Sequence, residues 1–400
     1  MNHKIKAQLG FMMFLQFFIW GSWYATAGNY MRESDLAELI YIAYMASPIG
    51  SIVAPFILGM LADRFFPVQK VMAILHLLGG VFIIAAPLSL EHFSSSPVFI
   101  TCLFLHMLCY MPTVGLATAT AFHLLKDRNR EFPPIRMLGT VGWIAAGIVV
   151  SYVLNADHTP IPMYVSGVAG MAMGVFCFLL PDIPPPASGS SLNVREIIGT
   201  KSTNLFNRQV VIFLVSILLT SIPLATYYAY APLYLKAAEI PNPAFRMTFG
   251  QMSEIVFLLL MPWFLLRYGV KRVILFGMIA WVFRYILFAV GAPEGITWMI
   301  ILGILLHGIC YDFVYVAGQI YLDQVAPVKV RARVQGLFVL VSYGIGQGLG
   351  TLIAGWIYNH TVLKAIANPL EQWQVFWIIP AVLGSIITIG FLLGIWKNKV

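Results

Sequence analysis

Apolar residues run along this chain in long unbroken stretches, and polar residues gather in short clusters between them. Segments such as Gln209–Leu219, Val273–Val290 and Phe376–Trp396 lack the period-two alternation of a barrel strand. A helix needs about 20 apolar residues to cross a bilayer. On that measure the chain divides into twelve predicted spans, at 8–28, 36–61, 70–89, 96–122, 133–155, 161–180, 209–236, 246–266, 271–290, 296–323, 333–357 and 372–396. In hydrocarbon every backbone N–H and C=O must be satisfied internally, so long apolar runs imply helices. The one long break, 181–208, holds Pro181-Asp182-Ile183-Pro184-Pro185-Pro186 and then Ser188-Gly189-Ser190-Ser191. Proline ends the sixth helix, and the Gly/Ser tract reads as a flexible connector. The expected fold is an all-α membrane protein, with a six-helix bundle over 1–180, a connector over 181–208 and a second bundle over 209–400.

Composition agrees. Of 400 residues, 60% are hydrophobic and 10% charged, with a mean hydropathy of +0.84. A soluble domain carries about a quarter charged residues. The net charge of +8 would suit a nucleic-acid partner, but the basic residues sit in the clusters between spans and serve another purpose. With the N-terminus inside, 18 Lys and Arg fall on inner segments and four on outer loops: Arg32, Lys236, Arg246 and Lys364. Arg136 and Arg284 lie in spans, which completes the 24. The positive-inside rule then places both termini in the cytoplasm. Cys102, Cys109, Cys177 and Cys310 fall inside apolar segments without zinc-ligand spacing, so they read as small hydrophobes. Lys4 and Lys6, with Ala25-Thr26-Ala27 downstream, resemble a signal peptide. Removing that segment would leave one bundle a helix short, so it is expected to be the first span.

The two halves resemble each other. His106-Met107-Leu108-Cys109-Tyr110 matches His307-Gly308-Ile309-Cys310-Tyr311 at an offset of 307 − 106 = 201. Asp63-Arg64 with Lys70 matches Arg267 to Arg272, and Arg136-Met137-Leu138-Gly139 matches Arg333-Val334-Gln335-Gly336, at nearly the same offset. A parallel six-plus-six repeat predicts a solute site near the midplane between the halves.

Gly59-Met60-Leu61-Ala62-Asp63-Arg64, between the second and third spans, resembles the signature loop of the major facilitator superfamily. More specifically, the chain is similar to that superfamily's nucleoside:proton symporter family. The resemblance is carried by Phe14-Leu15-Gln16-Phe17, Trp20-Gly21-Ser22-Trp23, Tyr110-Met111-Pro112-Thr113, Phe132-Pro133-Pro134-Ile135-Arg136, Gly139-Thr140, Ser253-Glu254, Arg267-Tyr268-Gly269 and Asp312-Phe313. It implies a proton-driven importer of nucleosides, working by alternating access in a bacterial cytoplasmic membrane. It implies a nucleoside and protons as partners, a lipid bilayer around a monomer, and no enzyme activity, cofactor, metal or nucleic acid. Another polar solute such as a sugar is the alternative. The family's binding positions fall on Arg136, Thr140, Gln251, Glu254 and Asp312, with aromatic positions at Trp143 and Tyr311. The family's amides in the seventh span align with Ala225 and Tyr228, and a tyrosine of the tenth aligns with His307. Asp63 and Arg64 would form a gating latch at the cytoplasmic face, where a carboxylate can meet a helix N-terminus. An ordinary interfacial charge is the other possibility.

Side-chain chemistry supports those positions. Glu254 and Asp312 lie deep in predicted spans, at a cost of about 2.5–3.5 kcal/mol each on insertion scales. Exclusion of water favours the neutral form of a carboxylate, so either group could carry a proton across. Alternatively each is a structural carboxylate locked to Arg136 or Arg284. Arg136, Thr140 and Trp143, at i, i+4 and i+7, share one helix face. They offer a fork of donors, a hydroxyl and a stacking ring; Arg136 could instead merely mark the inner end of its span. Gln251 and Glu254 also share a face. His307, Tyr311 and Tyr315 form a stripe in which Tyr311 is the candidate ligand, and His307 is either a ligand or a bonded core histidine. Arg284 is expected to snorkel or to pair structurally in a peripheral helix. Gly344-Ile345-Gly346-Gln347-Gly348-Leu349-Gly350 lacks a preceding strand, so it reads as close helix packing rather than a nucleotide loop. No enzyme motif is present, and the sequon Asn359-His360-Thr361 carries no meaning in a bacterium.

Overall fold

The computed structural model describes residues 3–61, 66–183, 207–327, 331–365 and 369–396. The described residues are helical, with no strand among them. Among the described residues ten helical stretches, some built of more than one helix, are long and apolar enough to cross a membrane. The two predicted spans outside that ten are the first and the sixth. The first carries Lys4, Lys6, Gln8 and Gln16, and the sixth is a helix of 17 residues, Ile161–Cys177.

The chain forms two compact units, Met1–Leu192 and Asn193–Val400. The first contains α1 (His3–Tyr24), α2 (Ala27–Glu33), α3 (Ile40–Leu61), α4 (Val68–Phe93), α5 (Ser96–Leu124), α6 (Arg128–Gly147) and α7 (Ile161–Cys177). A π-helical turn, Ile148–Val153, extends α6. The second contains α8 (Arg208–Ala237), α9 (Pro243–Tyr268), α10 (Val270–Gly291), α11 (Thr297–Leu305), α12 (His307–Tyr311), α13 (Ala317–Val325), α14 (Arg331–Val339), α15 (Gln347–His360) and α16 (Pro369–Trp396). Local chemistry sets several starts. Asp127 caps α6 by accepting from the Arg130 N–H at 3.2 Å, and Asn207 caps α8 by accepting from Val210 at 3.0 Å.

The repeat seen in sequence reappears in the packing. In the first unit α1 lies against α6 and α7, α4 against α5 and α7, and α3 against α5. In the second, α8 lies against α15 and α16, α10 against α11 and α16, and α9 against α12. Position for position, these are the same neighbours. Close approach is made where side chains vanish: a Cβ on Gly142 would lie 2.1 Å from the Phe14 carbonyl oxygen, so α1 and α6 touch backbone to backbone. The second unit packs instead through a dense aromatic core of Tyr230, Tyr234, Phe288, Trp373, Phe376 and Trp377. Large apolar side chains such as Leu259, Leu266, Trp356 and Ile386 are exposed on outward faces, as expected where the solvent is lipid.

Candidate functional site

In the first unit, α6 carries Arg136, Thr140 and Trp143, all half-buried. The Arg136 guanidinium lies over the Phe17 ring of α1, 4.2 Å from its centroid, and no carboxylate pairs with it among the described residues. Trp143 meets Trp20 edge-on at 5.5 Å and Tyr24 at 6.3 Å, with Gly21 clearing the space beside its ring. Trp20 also touches Tyr110, and its indole N–H has no acceptor. Behind these rings lies a buried polar network. Gln16 Nε2 donates to Thr113 Oγ1 at 2.8 Å, and Gln16 Oε1 lies 3.1 Å from His76 Nε2. The Gln16 amide therefore accepts from His76, which places that ring's proton on Nε2. His106 Nδ1 donates to the Gly79 carbonyl at 2.8 Å, so His106 is a bonded core residue.

In the second unit, α9 carries Gln251, which is buried with Oε1 unpartnered, and Glu254, which is half-buried one turn on. Glu254 is within electrostatic reach of Asp312, Tyr228 and Tyr311. Asp312 is wholly buried, both its oxygens lack a partner, and it opens a π-helical turn, Asp312–Val316. Within its own unit Asp312 is therefore not locked to Arg284. Tyr311 stacks on Tyr315 at 5.3 Å, and its hydroxyl bonds that of Tyr343. His307 is buried, stacks on Tyr227 at 5.1 Å and places Nε2 3.1 Å from the Tyr228 hydroxyl.

Of the two expectations for Arg284, snorkelling fails and structural pairing holds: the side chain is wholly buried and its partners are a backbone carbonyl and a ring rather than an acid. Its Nε donates to the Gly303 carbonyl at 2.8 Å, its guanidinium lies 3.6 Å from the Tyr227 ring centroid, and Nη1 and Nη2 are unpartnered. Asp63 and Arg64 lie outside the described residues. No cluster able to hold a metal occurs among the described residues. Each unit thus presents a mixture of rings, donors and acceptors, and the second adds two carboxylates. Rings beside donors and acceptors can hold a flat ring and hydroxyls, and a buried carboxyl can hold a proton.

Known proteins narrow the reading further. Residues 3–399 match the family model described as nucleoside H+ symporter. The chain belongs to the nucleoside:H+ symporter family. Proton-coupled nucleoside transport across a membrane is the activity of that family and of this member. The chain is 35% identical to the putative nucleoside transporter YegT of Escherichia coli, over 98% of this chain and 93% of that one. It is 28% identical to the nucleoside permease NupG of the same organism, over 99% and 97%. The crystal structure of nucleoside transporter NupG superposes with a TM-score of 0.84 at 26% identity, covering both chains fully at 100%. The architecture is accordingly the major facilitator fold.

Several neighbours of the candidate residues were not legible in the sequence. Tyr228 appeared only as a departure from the family pattern, yet it bonds His307 and lies near Glu254. Tyr343 comes from a second π-helical segment, Leu340–Gly346, and meets Tyr311 from 32 residues away. Trp20 belongs to Trp20-Gly21-Ser22-Trp23, a motif that by itself assigns it no role. One signal was available: Arg284 is the second of only two basic residues assigned to spans, and a buried charge in a membrane helix calls for a purpose.

Proposed function

We propose that this symporter imports nucleosides by alternating access through twelve spans, as a monomer in a bacterial inner membrane with both termini cytoplasmic. Arg136, Thr140 and Trp143 contact the solute from the first unit, and Gln251, Glu254 and Tyr311 from the second. Trp143 and Tyr311 supply faces for the base. Asp312 carries the proton, with Glu254 as the second carboxylate, and Asp63 and Arg64 form a cytoplasmic latch.

The observation that carries this reading is the wholly buried, unpartnered carboxyl of Asp312, one residue from Tyr311 and within reach of Glu254. A dry, unbonded carboxylate is costly, so the group is stable there when protonated. Loading a proton from outside lets it stay buried while solute binds. Opening to the cytoplasm rehydrates it and releases the proton. The test is uptake of labelled nucleosides and sugars into vesicles under an imposed pH gradient. Nucleosides should accumulate and sugars should not; accumulation that ignores the gradient overturns the coupling. Asp63→Asn should slow uptake and leave equilibrium binding intact.

A further inference from the structure

The tenth span is not one helix. It runs as α11, a turn at Leu306 where ψ opens to −7° although φ stays at −64°, α12, the π-helical turn Asp312–Val316 and then α13. A helix end leaves carbonyls at its C-terminus and N–H groups at its N-terminus without partners, and in a dry site these must be satisfied. At this break two neighbouring helices supply the partners. Arg284 of α10 donates Nε to the carbonyl of Gly303, in the last turn of α11. Ser253 of α9 accepts from the N–H of Gly308, the second residue of α12, at 2.9 Å. The Ser253 hydroxyl proton goes to the Gly250 carbonyl at 2.8 Å, so its oxygen is set as an acceptor. Room for this contact exists because Gly308 has no side chain; a Cβ there would lie 2.5 Å from Ser253 backbone atoms. Trp281 adds a third tie, donating its indole N–H to the Cys310 carbonyl at 3.0 Å.

The cation at this joint has no packing rationale. At the offset of 201, Arg284 corresponds to Ile83 in the first unit, where an apolar residue fills the same place. A buried guanidinium with two unpartnered nitrogens and no acid is a liability unless its charge is used. Two uses are visible. A cation at a helix C-terminus complements the helix dipole, and the guanidinium plane backs Tyr227, which in turn stacks on His307. His307 begins α12, Tyr311 ends it, and Asp312 opens the π-helical turn that follows.

We propose that Arg284 and Ser253 are positioning residues, which cap the two sides of a built joint in the tenth span and thereby set where His307, Tyr311 and Asp312 stand. The inference rests on the transport reading above, since the solute contacts being positioned belong to it. Both side chains act through backbone atoms of the tenth span. Their loss should act on solute affinity through the placement of α12.

The experiment measures KM and Vmax for a labelled nucleoside, with membrane-inserted protein quantified in the same vesicles, in the full-length chain. Arg284→Met, which keeps length and removes charge and donor, should raise KM about tenfold, equivalent to about 1.4 kcal/mol. Ser253→Ala should raise it several-fold, and the double variant should fall short of the product, because both act on one joint. Arg284→Lys restores a cation at the α11 terminus and should recover most of the affinity. If Arg284→Met does not insert, Arg284→Gln takes its place, alone and with Ser253→Ala. Parental KM in the inserted variants that remove the cation or the hydroxyl, or a double variant equal to the product of the singles, overturns the joint. A parent chain that takes up no nucleoside refutes the transport reading and the joint's role together.

Discussion

The fourth and tenth spans occupy matching places in the two units, carry matching residues and are built differently. The fourth, α5, is one continuous helix of 29 residues. The tenth is broken once and widened into a π-helical turn within the same length of chain. His106 in the first corresponds to His307 in the second, Tyr110 to Tyr311, and Met111 to Asp312. In α5 the histidine bonds the carbonyl of an adjacent helix, and Tyr110 bonds the Gln16 carbonyl at 2.5 Å. Both serve the bundle. In the tenth span the histidine pairs with Tyr228, and the tyrosine pairs with Tyr343. Breaking the helix frees backbone groups that neighbours must then satisfy, and the same irregularity turns side chains away from the regular helical stripe. π-helical turns and mid-helix breaks recur at functional sites for this reason. One short pattern, placed twice, thus stands in a continuous helix in the first unit and in a broken one in the second.

The sharpest way to break this comparison is at the acidic position. Asp312→Asn should bind and exchange nucleoside yet fail to concentrate it against a gradient, whereas Met111→Leu should leave accumulation at the parental level. Vesicle accumulation ratios under a pH gradient read this directly; concentration by the Asn variant as strong as the parent's would make the carboxylate structural.

Ring faces come next. Stacking on a base is worth about 1–3 kcal/mol, so Trp143→Ala and Tyr311→Ala should each weaken binding from several-fold to about a hundredfold. Equilibrium binding of a labelled nucleoside measures both. Unchanged affinity in both variants would remove stacking from the account, and a loss in one alone would assign the base to that unit.

The glycine at the break offers a smaller effect of another kind. Gly308→Ala pushes a methyl into the Ser253 backbone, and overpacking of that order destabilises by about 1–3 kcal/mol. The matching position in α5 already holds a fully buried Met107. Thermal melting of the purified chain should fall for Gly308→Ala; a parental melting temperature would mean that the two helices part without cost.

The smallest effects separate the histidines. His106→Gln should cost stability by about 1–3 kcal/mol through the unsatisfied Gly79 carbonyl, with the ranking of nucleosides in a competition panel unchanged. His307→Gln should alter that ranking. Equal behaviour of the two variants in both assays would erase the functional distinction between the continuous helix and the broken one.

Much of this was legible beforehand. Ten of the predicted spans, the division into two units and the internal repeat follow from apolar run length and from matched short motifs, because both are local properties of the chain. Arg136, Thr140 and Trp143 sharing a face follows from helical period alone. The burial of Arg284 was not legible, since an arginine in an apolar run can snorkel or turn inward depending on which neighbour its helix meets. The pairings of Tyr228 with His307 and of Tyr311 with Tyr343 join residues 79 and 32 positions apart, and no periodicity links them.

The sequence by itself determined that this is a helical membrane protein of two related halves, because the free energy of burying long apolar runs depends on composition and length far more than on partners. It also pointed to the family, because enough side chains of the right kind stand in the right order. Only the tertiary structure decided that the tenth span breaks at Leu306, that Arg284 and Ser253 stand on either side of the break, and that Asp312 is left dry and unbonded. Those features are set by which helices come to lie against one another, and a local pattern of residues holds no record of that.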